Sequence, residues 1–203
     1  MNGDFIRHPV TGKWIEKYES RWWFLIRQGY DEDELELMET LTYPAHLTLV
    51  KNLPPIKPIR TGAILYTVND GKLLFGLGVD AIYKQLTDFS GGNKKGESPI
   101  YSALREFCEE TLHLYCLKEE EIQESVAMVD KHHLVLFIYT HLDPGIVTLL
   151  FRMKGQGEMI DIVWIDEDDL MNEIIHPSFM YLRLANFLAK ANFIKYLKFA
   201  IHT

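Results

Sequence analysis

Glu106, Glu109 and Glu110 stand at i, i+3 and i+4, so on a helix they share one face and crowd three negative charges. Ala103, Leu104, Phe107, Cys108 and Thr111 fall on a second, mainly apolar stripe that must enter a core. Like charges at this spacing destabilise a bare helix by roughly 0.2–0.5 kcal/mol per pair. A divalent cation on the acidic face would turn that repulsion into coordination by hard oxygen ligands, the kind magnesium prefers. Ser98-Pro99 supplies an N-cap and a first-turn proline to start the helix. The preceding Phe89–Gly96 segment contains three glycines, which permit close backbone approach. Arg105 lies four residues before Glu109, within reach of a carboxylate whose rotamer it could fix. The bland alternative is a solvated acidic helix after a glycine turn.

The flanking sequence predicts what this helix packs on. Ala63–Val68 and Lys72–Leu77 are strand-like runs joined by Asn69-Asp70-Gly71, a hairpin signal. Ser125–Val129 and Leu134–Thr140 read as strands around a turn at Asp130-Lys131-His132, and Ile160–Ile165 as another. The tail from Ser178 to Ile201 carries apolar residues at helical spacing and is expected to form one closing helix. Strands, a central helix, more strands and a last helix predict an α/β chain with a mixed sheet between helices. Leu53-Pro54-Pro55-Ile56-Lys57-Pro58 marks the best boundary. It divides an N-terminal extension, residues 1–55, from a main domain, residues 56–203. The extension is expected to hold helices around Ile15–Gly29 and Glu32–Thr42.

The string Gly91, five residues, Glu97, seven residues, then Arg105-Glu106-Phe107-Cys108-Glu109-Glu110 resembles the Nudix box. Every charged position and the leading glycine match. Leu112 replaces the second glycine, Phe107 and His113 replace aliphatic residues, and Ser90 stands where a proline is common. That second glycine normally ends the helix in a left-handed conformation, which leucine adopts poorly. The helix is therefore expected to run on to about Leu114 or to end in another geometry. The resemblance covers the main domain only and implies the Nudix α/β/α sandwich. It also implies a magnesium-dependent hydrolase, with manganese as a possible substitute, that cleaves the pyrophosphate bond of a nucleoside diphosphate linked to another group. Glu106, Glu109 and Glu110 become expected metal ligands, joined by the carbonyl near Ser90. Arg105 and Glu97 become orienting groups. Family members often carry a further glutamate on a loop before a late strand, and Glu158, before Met159–Trp164, falls there. The sequence leaves the general base between Glu106 and Glu158.

Such chemistry has a physical logic. Phosphorus in a pyrophosphate is shielded by negative oxygens, so water must be deprotonated and developing charge neutralised, and a bound cation does both. Lys94 and Lys95 could attract phosphate, and Tyr83, Phe89 and Trp164 are candidates to stack on a base. Trp22 and Trp23 are consecutive, so on a helix they point apart. His132-His133 is expected at the surface of a turn.

A net charge of -8 argues against a broad nucleic-acid-binding surface. The substrates expected first are therefore free nucleotides and their derivatives, with capped RNA as the alternative of the same class. A non-catalytic Nudix-fold binding module is the alternative from another class. Cys108 and Cys116 are the two cysteines, with no Cys-x-x-Cys or Cys/His spacing that points to zinc, and a reducing compartment is the simplest expectation. No apolar stretch is long enough to span a membrane, and Met1-Asn2-Gly3-Asp4 lacks the basic start of a secretory leader. His8-Pro9-Val10-Thr11-Gly12-Lys13-Trp14-Ile15, followed by Leu25-Ile26-Arg27-Gln28-Gly29-Tyr30, resembles a short module of large DNA virus proteins. That resemblance implies the cytoplasm of an infected cell.

Overall fold

The computed structural model describes residues 5–7, 14–27, 45–155 and 157–201. Strands β1 (Phe5–Arg7) and β2 (Trp14–Glu16) form a small antiparallel hairpin beside α1 (Ser20–Arg27). Ile6, Ile15, Trp22 and Leu25 bury their side chains together there. The main sheet comprises β3 (His46–Leu49), β4 (Arg60–Asn69), β5 (Lys72–Asp80), β6 (Leu86–Thr87) and β7 (Phe89–Gly92). It continues after α2 (Pro99–Glu110) with β8 (Val126–Val129), β9 (His133–Tyr139), α3 (Pro144–Lys154) and β10 (Met159–Asp166). The helices α4 (Glu167–Ile175), α5 (Leu182–Leu188) and α6 (Phe193–Ile201) follow.

The strand order is β10-β5-β4-β9-β8-β3, with β6 paired to β5 and β7 to β4. β4 and β9 run parallel, and the remaining neighbours are antiparallel. Asp70 and Gly71 take φ of 50° and 77°, the left-handed pair that a tight β4–β5 turn requires. Side chains alternate across β4. Ile64 and Tyr66 join the core beneath α4, α5 and α6, whereas Ala63 and Leu65 join the core beneath α2 and α3. The result is the expected α/β arrangement, a mixed sheet covered by helices on both faces. β3, which lies within residues 1–55, pairs with β8 at the edge of this sheet.

Several expectations need correction. The segment Ile15–Gly29 opens as strand β2, and helix begins only at Ser20. The predicted helix at Glu32–Thr42 lies outside the described residues, as do His8–Lys13 and Gln28–Tyr30 of the short N-terminal module. The tail forms two helices, because α5 closes at Ala189 and Asn192 Oδ1 then accepts from the Lys195 N–H at 3.2 Å. Periodicity missed α3 and α4, although Asp143 and Asp166 cap their first turns with side-chain oxygens. His132 and His133 are buried, not surface residues. The Asp130 carboxylate accepts both of their backbone N–H groups, at 2.7 and 2.8 Å, and Lys190 from the tail closes on it at 2.5 Å. Trp22 is buried and Trp23 exposed, as consecutive helical positions demand. Among the described residues, no helix is long and apolar enough to cross a membrane.

Candidate active site

Two local devices set the acidic helix in place. Ser98 Oγ accepts from the Tyr101 N–H at 3.1 Å, and Pro99 begins α2, so the predicted cap is realised. β7 then brings the glycine segment against the helix. A Cβ at Gly62 would collide with Ser90, and one at Gly91 would collide with the Glu106 carboxylate, so both glycines permit close approach. Arg105 is the hub of this junction. It grips Glu97 with two bonds, Nε to Oε1 at 3.0 Å and Nη2 to Oε2 at 3.2 Å. Its Nη1 reaches Glu106 at 2.6 Å and Glu109 at 3.0 Å. Burial alone would lower the Arg105 pKa, but the Glu97 and Glu106 carboxylates raise it, so the guanidinium stays charged. The Arg105 bond holds Glu97 below the usual carboxylate range.

Behind this junction lies a cleft of about 550 Å³ whose lining includes Ser90, Glu106, Glu110 and Glu158. Glu110 is the unusual member. It is 7% exposed, and its Oε2 has no hydrogen-bond partner. Burial and then Asp88 push its pKa well above the carboxylate range. Arg60 opposes them, while Glu106 and Glu158 add to the rise. A buried oxygen crowded by three other carboxylates is a place where positive charge is missing.

Two arginines bind residues of the cleft wall, Arg60 lining the cleft itself and Arg183 bonded to Asp88 and Ser90, which line it. Arg183 from α5 pairs with Asp88 at 2.7 Å, both almost fully buried. Burial pushes Asp88 up, but Arg183 outweighs it and holds the carboxyl below its ordinary range. Arg60 Nη2 donates to the Ser90 carbonyl at 3.2 Å, and its Nε to Ser90 Oγ at 3.4 Å. The carbonyl expected as a metal ligand thus already accepts a cationic donor. Asp80 also lines the cleft; its Oδ1 accepts from the Ile82 and Tyr83 N–H groups at 2.6 Å, and Tyr181 donates its hydroxyl to Oδ2. Tyr83 and Tyr181 thereby meet edge to face at the cleft, with ring centroids 6.1 Å apart.

The structure therefore gathers Ser90, Glu106, Glu110 and Glu158 around one cavity. Glu109 does not line it; half-exposed, it is held outward by Arg105. Of the aromatic candidates, Tyr83 reaches the cleft. Phe89 is fully buried, and Trp164 covers Gly76, where a Cβ would lie 3.0 Å from its ring. Lys94 and Lys95 line a different cavity, of about 800 Å³, beside Ile56 and Pro58. Arg60, Asp80, Asp88, Tyr181 and Arg183 went unread in the sequence. Arg183 and Asp88 are 95 residues apart, and no local pattern announces such a pair.

The helix end also departs from expectation. α2 stops at Glu110, with Thr111 as C-cap, and Leu112 takes φ of 54°, the left-handed conformation of the glycine it replaces. The two cysteines, expected as thiols, are joined as a Cys108–Cys116 disulfide, and His113 lies against both sulfurs. Cys108, placed by pattern on the apolar stripe, is only half-buried.

No protein-family model matches the chain, and no curated protein matches it. Among solved structures it is similar to a C. elegans Ap4A hydrolase, with 18% identity over 70% of this chain and 99% of that one, at a TM-score of 0.41. A binary complex of a C. elegans Ap4A hydrolase gives 17% identity over 68% and 96%, at 0.40. A Listeria monocytogenes protein described as a NUDIX hydrolase gives 13% identity over 70% and 95%, at 0.41.

Proposed function

We propose that the chain is a Nudix-type hydrolase that uses a divalent cation, magnesium or in its place manganese, to cleave the pyrophosphate bond of a nucleoside diphosphate linked to another group. The observation that carries this reading is the unpartnered, buried oxygen of Glu110, a residue that shares one cleft with Glu106 and Glu158, within the sequence pattern that resembles the Nudix box. The donor set fits the cation: carboxylate oxygens of Glu106 and Glu110, with the Ser90 carbonyl once Arg60 gives it up, are hard ligands of the kind magnesium selects. Glu109, half-exposed at the rim, would join them on release from Arg105. When bound, the cation would acidify water and neutralise charge on the phosphate oxygens.

The chain's own groups divide the remaining work. Arg105 fixes the Glu106 and Glu109 rotamers and, through Glu97, anchors the glycine segment to α2. Glu106 is tied to that guanidinium, so Glu158, exposed on its loop, is the better placed proton acceptor for an attacking water. Arg60 carries positive charge at the cleft wall, where a phosphate oxygen could replace the Ser90 carbonyl as its partner. Tyr83 and Tyr181 offer an aromatic edge for the nucleoside.

The test is turnover of a panel of nucleotide derivatives and capped RNA, with and without magnesium, for wild type, Glu109→Gln and Glu110→Gln. We expect cation-dependent cleavage of a nucleotide derivative, with kcat reduced at least about a hundredfold in Glu110→Gln. Preferential cleavage of capped RNA would move the substrate class while keeping the chemistry. Absence of any turnover, with nucleotide binding indifferent to either substitution, would replace the hydrolase with a binding module.

A further inference from the structure

The C-terminal end of α2 is built around sulfur. Cys108 is half-buried, whereas His113 and Cys116 are exposed. The His113 N–H donates to the Cys108 carbonyl at 2.8 Å and the Leu112 N–H to the Glu109 carbonyl at 3.1 Å, the double closure of a Schellman turn. Leu112 and His113 take φ of 54° and 62°, a region that side-chain-bearing residues rarely occupy in succession. That backbone places the imidazole Nδ1 3.2 Å from Cys108 Sγ and 3.7 Å from Cys116 Sγ. Other contacts hold the turn from outside. Lys154 Nζ donates to the His113 carbonyl at 3.3 Å, and Leu112 packs where a Cβ on Gly157 would come within 2.9 Å.

We propose that Cys108, His113 and Cys116 form a redox-gated binding site for a thiophilic divalent cation, zinc foremost. Each residue offers one ligand atom, and these atoms lie within 4.8 Å of one another. A tetrahedral zinc with usual Zn–S and Zn–N distances has S···N edges of about 3.6 Å; with the disulfide closed the imidazole already lies 3.2 and 3.7 Å from the two sulfurs, so it is in reach of both once they part. The remaining edge, sulfur to sulfur, would be about 3.8 Å, so the disulfide closes the site and its reduction opens it.

The chemistry balances. A dithiol reductant supplies two electrons and two protons, the S–S bond breaks, two thiols form, and the reductant leaves as its own disulfide. Zinc then displaces both thiol protons to solvent, giving two thiolates and one neutral imidazole as ligands. The exposed turn leaves the fourth position to water. Soft sulfur separates this site from the oxygen-lined cleft, which is built for a hard cation.

Cobalt(II) reports it directly, because thiolate-to-cobalt charge transfer absorbs in the near ultraviolet and carboxylate coordination does not. The full chain, reduced with a dithiol and freed of it without oxygen, would be titrated with Co2+ and then with Zn2+. We expect a charge-transfer band that saturates at one equivalent and is abolished by one equivalent of zinc. It should be absent from the unreduced protein and lost in Cys116→Ser, and His113→Asn should bind at least tenfold more weakly. A reduced wild type with no band, a band of equal strength without reduction, or a band that survives Cys116→Ser would overturn the proposal. The oxidised and reduced wild-type arms require no substitution, so they decide even where a variant fails to fold.

Discussion

Glu110 shows how one side chain can be unfavourable to the fold and still be kept. Its carboxyl is buried, one oxygen is unpartnered, and burial together with Asp88 raises its pKa well above 4.5. The sign of the linkage follows from that direction. Between the unfolded pKa and the raised folded value the native state holds the extra proton, so stability falls as pH rises from about 4.5. Glu110→Gln removes this liability. In chelator-treated protein at neutral pH, a melting curve should show the variant more stable than wild type, with Tm up by about 2–4 °C for each kcal/mol recovered. The gap should close on acidification below pH 4.5. Equal Tm values for the two proteins at neutral pH would mean that the carboxylate is relieved by something else.

Among the elements, the closing helices matter most to the face away from the acidic helix. Phe193, at the start of α6, stacks on Phe137 with centroids 5.1 Å apart and meets Phe75 edge to face at 5.8 Å. It joins α6 to two sheet strands, in a core where Leu184 and Leu197 are also fully buried. Phe193→Ala should therefore cost about 3–5 kcal/mol in urea denaturation, since the transfer and cavity penalties add. A loss below about 1 kcal/mol would show that α6 is not docked as described. α2, by contrast, is fixed by local chemistry, with its cap at Ser98, its Schellman end at Thr111–His113 and the Arg105 hub between.

The molecule is also held by charge across long stretches of chain. Asp130, in the β8–β9 turn, receives Lys190 from the tail, 60 residues away. Burial raises its pKa, but bonds from His133, Lys190 and the His132 N–H outweigh burial and hold it below 3.8. The stabilisation is present above the unfolded value and is lost as pH falls through the depressed one. Asp130→Asn should cost about 1.5–3 kcal/mol at neutral pH, and urea denaturation across a pH series should show the difference shrinking below about pH 4. A constant difference across that series would assign the effect to packing. These long-range groups mark the limit of what the sequence discloses. Local signals announced the β4–β5 hairpin, the cap of α2, the β8–β9 pair and the acidic face, because periods of 2 and 3.6 and turn chemistry act over a few residues. The same local logic failed at Leu112, where a leucine keeps the left-handed turn, and at His132 and His133, buried in a turn that Asp130 ties by their backbone N–H groups while the His133 ring meets Phe187. By itself, the order of residues determined the β4–β5 hairpin, the β8–β9 pair, the start of the acidic helix and which carboxylates could share its face. Only the tertiary structure decided that Glu110 is buried and Glu109 is not. It also brought Arg60, Asp88 and Arg183 behind Ser90 and set His113 against two sulfurs, because desolvation and pairing depend on neighbours that arrive from far along the chain.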